Sequence, residues 1–349
     1  MRLSELARGR DNNFQLIRLL AAAAVILFHC YALTNHWTDE PLWRLAPELN
    51  FGSLGVKIFF VVSGFLVTGS WESRQRLVPF AAARALRIYP GLLCATLFTI
   101  LVAGACGTLP FAAFLADPLT LDYAWRTGAG WELRHKLPGA FTANPYPDAV
   151  NGSMWTLPIE LRLYVGLALA GLAGLLARRA AWLAAVAAAT AVVVAQPAWF
   201  PLAPNDQVTR ELALLFALGS LAWCWRERIV VSIPAAVAAI AFVAWNPAGL
   251  GRGPLLQPLL AYVVLVAAYH PRLQWPAFNR AGDYSYGLYI YSFPIQQALV
   301  QLVPGVAPVG LFALALPATL AVAVLSWHVV EKPALGLKSR FRSPPEGPA

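Results

Sequence analysis

Charge is scarce in this chain: 26 Lys and Arg and 17 Asp and Glu in 349 residues, or 12 % of the sequence. Soluble domains carry roughly 25 %, so an ordinary water-soluble fold is excluded. Cysteine is equally sparse. Cys30, Cys94, Cys106 and Cys224 form no C-x-x-C and fall in or beside apolar stretches, which reads as buried thiols rather than a disulfide framework or metal centre. There is no P-loop, no G-x-G-x-x-G and no internal repeat, so the common nucleotide-cradling folds drop out. Blocks such as Leu167 to Leu176 are continuously apolar, whereas a membrane β-barrel needs ~10-residue alternating segments.

What the sequence does hold is apolar length. Hydrophobic residues make up 59 % of it, in runs of about 18 to 23 residues, enough to cross a ~30 Å hydrocarbon layer as a helix. Ten spans are predicted, at about 13–34, 53–71, 88–107, 154–176, 181–196, 211–225, 229–246, 254–269, 284–303 and 309–330. The fold class is therefore all-α, a polytopic integral membrane protein with one transmembrane domain over 1–349. Its tails are short, about 1–12 and 332–349, and its longest connection is about 108–153. That connection is rich in Pro, Asp, Trp and Tyr, as an interfacial or partly re-entrant segment would be. The apolar run after the charged N-terminus contains Arg18 and His29 and lacks an A-x-A site, so an uncleaved first span is predicted rather than a signal peptide.

The basic residues orient the bundle. In the ten-span scheme, 17 of the 26 Lys and Arg fall on one side, six on the other (Arg44, Arg126, Arg134, Lys136, Arg210 and Arg252), and Arg18, Lys57 and Arg162 within spans. The positive-inside rule then puts both termini in the cytoplasm. A net charge of +9 is thereby used up in topology, and nucleic-acid binding is not predicted.

An ionisable group in the bilayer costs at least ~2.5 to 3.5 kcal/mol, so each one needs a partner or a use. Arg18 and His29 are eleven residues apart, three turns plus about 20°, and share one helix face about 16 Å apart. A neutral imidazole able to accept a proton near pH 7 suits a general base, though a packed core histidine is the blander alternative. Ser63-Gly64 lies mid-span, either for close helix contact or to admit a ligand chain beside the backbone. Arg84 and Arg87, at i and i+3, are neighbours at the inner mouth of the third span. They could grip phosphates bidentately or merely anchor the helix. Glu160 is predicted at the depth of His29, as its orienting carboxylate, unless Arg162 neutralises it. Glu331-Lys332-Pro333 ends the last span, as a helix stop or with a role.

Taken in order, these motifs resemble the acyltransferase-3 family of bacterial surface-glycan modifiers. Arg18 and His29, within Ile17-Arg18-Leu19-Leu20 to Phe28-His29, are similar to its R-x10-H signature. Gly55-Val56 with Phe59-Phe60-Val61-Val62-Ser63-Gly64-Phe65-Leu66 resembles its second-span signature. Arg84-Ala85-Leu86-Arg87-Ile88-Tyr89-Pro90 resembles its R-x-x-R-I-x-P element, and Trp155-Thr156-Leu157 with Glu160 its W-S-L-x-x-E element. Tyr284-Ser285-Tyr286-Gly287-Leu288-Tyr289 and Val330-Glu331-Lys332-Pro333 are similar to its last two patterns. Departures are Gln15 and Lys57 where Asp is frequent, Thr156 for Ser, and Ser292 where Tyr-x-x-His-x-Pro is common.

The resemblance implies an integral-membrane O-acyltransferase of the bacterial inner membrane, with acetyl-coenzyme A as donor and no permanently bound cofactor or metal. The implied acceptor is a hydroxyl of a cell-surface or lipid-linked glycan. His29 and Glu160 would be catalytic; Arg18, Ser63, Gly64, Arg84 and Arg87 would hold the donor; Trp155 and Tyr286 would contact substrate. A proton-coupled carrier or flippase is the rival, since ten spans with His and Glu at mid-depth also describe one.

Overall fold

The computed structural model describes residues 1–7, 11–45, 49–200, 203, 206–245, 257–280 and 282–341. Each of the ten predicted ranges holds a helix: α1 Phe14–Leu33, α2 Phe51–Glu72, α3 Leu77–Ala105, α4 Leu157–Leu172, α5 Arg179–Ala195, α6 Gln207–Cys224, α7 Ile233–Trp245, α8 Gln257–Tyr269, α9 Ser285–Leu302 and α10 Pro308–Ser326. Arg252, the start of the eighth range at 254–256 and the tail at 342–349 lie outside the described residues. Five stretches are long and apolar enough to cross a membrane by themselves: α1, α2, α3, α4 with the turn before it, and α10 with its continuation. The protein is an all-α membrane protein. The end of the bundle that carries the starts of α1 and α3 and the close of α2 holds most of the basic residues; it is called the basic end below, and its opposite the far end.

The centre of the bundle is α1, α2, α6 and α9. Small residues bring these helices together, as is usual where lipid supplies no hydrophobic drive between them. A Cβ added at Gly64 of α2 would fall 1.9 Å from the Phe216 carbonyl oxygen of α6, and one at Gly219 of α6 would fall 2.2 Å from the Val61 oxygen. Gly55 approaches the Ala21 backbone of α1 in the same way. Outside this centre, α5 and α7 turn Leu183, Val194, Val237 and Phe242 outward, as faces bathed in hydrocarbon should be. The mid-span charge Lys57 is neutralised across the α2–α6 seam by Glu211, at 3.4 Å.

Two boundaries differ from expectation. Helix α3 starts at Leu77, eleven residues before the predicted 88, so Arg84 and Arg87 sit within its second and third turns rather than at its mouth. The polar residues that hid this start, Arg84 and Arg87 themselves, are tolerated because both face protein. The 108–153 connection folds into two short helices, Phe111–Ala116 and Pro118–Ala129, over a small core of Phe114, Tyr123, Leu137 and Phe141. Gln297 of α9 ties it down, donating to the carbonyls of Tyr146 (2.9 Å) and Ala149 (2.7 Å). Asn151 donates to the Ile290 carbonyl at 2.9 Å. The chain therefore enters α4 through a buried turn, Ser153–Thr156, inside the bundle rather than at its surface.

Candidate active site

A cavity of about 110 Å³ runs between α1, α2, α3, α4 and α9. Six of the residues singled out from the sequence line it: Arg18, Ser63, Arg84, Arg87, Glu160 and Tyr286. Its basic end is built from charge. Arg18 and Arg87 each place Nη2 2.7 Å from the same oxygen of Asp283, and Ser285 donates to the other at 2.7 Å. Burial by itself would raise the Asp283 carboxyl; the two guanidiniums outweigh it and hold it at about 2. Glu331, almost fully buried, lies 3.8 Å from Arg87 Nη1 and accepts from Ser326 at 2.9 Å. A π-helical turn, Trp327–Glu331, swings it inward at the close of α10.

Arg84 differs from its neighbours. Among the described residues no carboxylate lies in ion-pair reach of it. Its guanidinium stands 5.8 Å over the Tyr164 ring, and its buried Nε has no hydrogen-bond partner among the described residues. Arg87 covers Tyr286 at 5.5 Å, and the Tyr286 hydroxyl donates to the Ile88 carbonyl at 2.9 Å. Such a wall, cationic and lined with aromatic faces, attracts an anion.

Further along, Glu160 accepts from Ser63 Oγ at 3.0 Å and from the Tyr164 hydroxyl. The expected pairing of Glu160 with His29 does not form. His29 Nδ1 stands 3.5 Å from Ser153 Oγ, Ser153 Oγ is 3.5 Å from Ser292 Oγ, and Phe293 packs edge-on to the imidazole at 5.1 Å. The prediction placed the start of α4 at the membrane surface. Because the turn before it is already buried, Glu160 is carried deeper, and Ser153, seven residues earlier, meets His29 instead. Nor does Arg162 reach Glu160: it is exposed, beside a separate space between α4, α5 and α6.

His29 does not line the cavity. The far end of the cavity is closed by Thr156 and Tyr289, whose hydroxyls share a hydrogen bond at 2.8 Å, with Phe59 packed on Tyr289 at 5.6 Å. Gly64 does not line it either, since its open face is taken up by Phe216. Trp155 is half-buried and packs on the core outside the cavity. Glu331, read from the sequence as a helix stop or a residue with a role, is brought to Arg87. Asp283, Tyr164 and Ser153 were not singled out from the sequence. For Asp283 the available signal was a carboxylate beside a motif at the basic end; for Tyr164, its i+4 spacing from Glu160.

The fold and cavity define a class: a polytopic helical membrane protein with a buried histidine and, in a cavity between its helices, a carboxylate and a cluster of arginines. The sequence profile of the acyltransferase-3 family, described as an acyltransferase domain, matches residues 11–328, and the chain belongs to that family. It is an acyltransferase. It is 28 % identical over 336 residues to an O-acetyl transferase of Shigella phage Sf6, covering 93 % of this chain and 96 % of the relative. It is also 28 % identical over 374 residues to Nodulation protein 10 of Rhizobium leguminosarum bv. viciae, covering 96 % of each. No solved structure matches.

Proposed function

We propose that this membrane acyltransferase takes an acetyl group from acetyl-coenzyme A on the cytoplasmic side and passes it to a hydroxyl of a cell-surface or lipid-linked glycan. The membrane would be the bacterial inner membrane, with both termini and the basic end in the cytoplasm. The observation that carries this reading is the cavity that begins at Arg18, Arg84 and Arg87 and ends one helical turn short of the His29 cluster. An anionic carrier would be gripped at the basic end while its thin thioester arm lies along Ser63, Glu160 and Tyr164. The relative named O-acetyl transferase supports acetyl as the group moved.

In the reaction, His29 accepts the proton of the acceptor hydroxyl as that oxygen attacks the thioester carbonyl carbon. The carbon–sulfur bond breaks, and the leaving thiolate takes the proton back from His29. The products are an ester and free coenzyme A. Glu160 holds Ser63 and Tyr164 as the wall of the donor passage, and the Thr156–Tyr289 pair is the barrier that the thioester passes to meet His29. Keeping that barrier shut without an acceptor protects the thioester from outside water. Trp155, on the turn next to Ser153, stays a candidate to stack on a sugar face.

Mass spectrometry of surface polysaccharide from cells with and without the gene tests the proposal. An acetyl increment that disappears with the gene supports it; a succinyl increment changes the donor; no difference removes the glycan as acceptor.

A further inference from the structure

The first cavity is small. Ligand sites for drug-sized molecules run from about 300 to 1,000 Å³, and about 110 Å³ accommodates a slender chain but no nucleotide. A second cavity, of about 470 Å³, lies at the basic end where α2, α4 and α6 close and α5 begins.

The two spaces follow one groove. Ser63 and Val67 of α2 line the first, and Trp71, the next member of the same i+4 row, lines the second, with Gln75 just past the end of the helix. On α4, Tyr164 lines the first and Gly171, seven residues on and so on the same face, lines the second. From Ser63 to Trp71 the helix rises about 12 Å, so the cavities are consecutive along the α2–α4 seam.

The lining of the second is chemically distinct. Two indoles face one space: Trp71 rests on Gly171, where a Cβ would fall 2.1 Å from the ring, and Trp223 rests on Gly69. The Arg226 guanidinium covers Trp223 at 4.5 Å and pairs with Glu72 at 3.2 Å, while Arg179 stands at the same rim. Between the two cavities, Arg74 donates to Ser70 Oγ at 2.7 Å and Arg84 approaches the same oxygen at 3.5 Å. Flat aromatic and guanidinium surfaces with a carboxylate acceptor suit an amine-bearing heterocycle, and two cations meeting on one serine suit a diphosphate.

We propose that the second cavity binds the purine-nucleotide end of the acyl donor, with the diphosphate at Arg74 and Arg84 and the thiol arm rising along the groove into the first cavity. This rests on the donor reading given above. A ring held between Trp71, Trp223 and Arg226 anchors the donor at the basic end, while its reactive carbonyl reaches toward the far end.

The test is titration of the detergent-solubilised full-length protein with coenzyme A and, separately, with pantetheine, which lacks the nucleotide. Base–aromatic stacking contributes about 1 to 3 kcal/mol, so Trp223→Leu should weaken coenzyme A binding by roughly fivefold or more and leave pantetheine binding unchanged. Arg226→Ala, whose side chain is outside the core, should shift coenzyme A in the same direction; it keeps the test meaningful if loss of the indole disturbs packing on Phe65. Adenosine 3′,5′-bisphosphate should compete with coenzyme A for the wild-type protein. Variants with an unchanged unfolding temperature that bind coenzyme A as wild type does, or that lose both ligands in proportion, overturn the assignment while the donor reading stands. A wild-type protein with no affinity for coenzyme A overturns both.

Discussion

Tyr289 and Thr156 share a hydrogen bond at 2.8 Å on the boundary between the arginine-lined cavity and the His29 cluster. Each has a counterpart one turn further on: Ser292, three residues after Tyr289, and Ser153, three before Thr156; their hydroxyls stand 3.5 Å apart, and that of Ser153 is also 3.5 Å from His29. One layer of side chains, completed by Phe59, separates the arginine-lined cavity from the proposed base.

Loosening that layer should make the enzyme leak. Tyr289→Phe keeps the ring against Phe59 and deletes a hydrogen bond whose net contribution is about 1 kcal/mol. Thiol release from acetyl-coenzyme A in the absence of acceptor should rise several-fold over wild type in purified protein. Release no faster than in wild type would mean that the pair is structural only.

His29→Ala should abolish glycan acetylation while membrane level and unfolding temperature stay close to wild type, because among the described residues the ring's polar contact is one 3.5 Å approach to Ser153. The measurement is polysaccharide mass spectrometry beside an immunoblot of the membrane fraction. Full acetylation in this variant would remove the proposed mechanism.

Asp283 neutralises two guanidiniums at once, so Asp283→Asn should destabilise the protein by about 3 to 5 kcal/mol, the usual cost of stranding a buried charge. The pH dependence has a definite sign. A carboxyl held at about 2 in the folded protein, against ~3.9 when unfolded, gives its full stabilisation above the ordinary carboxylate range and loses it as pH falls through about 2. The gap in unfolding temperature between wild type and Asp283→Asn should therefore be constant from pH 7 to about 5 and shrink below about pH 4. A gap that widened toward acid would contradict the assignment.

Arg84→Ala combined with Arg87→Ala should weaken coenzyme A binding in detergent by at least tenfold, given about 1.5 to 3 kcal/mol for each charge-assisted hydrogen bond lost. Equal affinity in isothermal titration would reduce both residues to topological charges.

Gly64→Ala tests the helix seam apart from the chemistry. The new methyl would lie 1.9 Å from the Phe216 oxygen, and neither backbone can yield without shifting α2 against α6. Overpacking of this kind costs about 1 to 3 kcal/mol or more, seen as a lower unfolding temperature. Ser63→Ala, which faces the cavity and loses a hydrogen bond to Glu160 without pushing on a backbone, should lower that temperature less.

Much of the site was readable because its parts follow helical arithmetic. Arg84 and Arg87 at i and i+3, and Ser63 partway along α2, follow from 3.6 residues per turn and a 1.5 Å rise; Tyr286 entered only through the family resemblance. Glu160 shows where such arithmetic stops. Its depth was counted from an assumed surface, and the buried turn at Ser153–Thr156 displaced the origin. The turn is held there by Asn151 on Ile290 and by Gln297 on the preceding loop, contacts over 139 and 148 residues of sequence that no local pattern announces.

Apolar run length and charge asymmetry by themselves determined an all-α bundle, its ten helices and the candidates of its chemistry, because hydrocarbon thickness and the burial cost of charge act on each segment separately. Only the tertiary structure decided which candidates meet: that Asp283 serves both Arg18 and Arg87, that Glu160 belongs to Ser63 and Tyr164, that Gly64 belongs to Phe216, and that His29 stands behind Tyr289. Those pairings depend on helix rotation and offset, which are set by close contacts between segments distant in the chain and leave no periodic trace in either one.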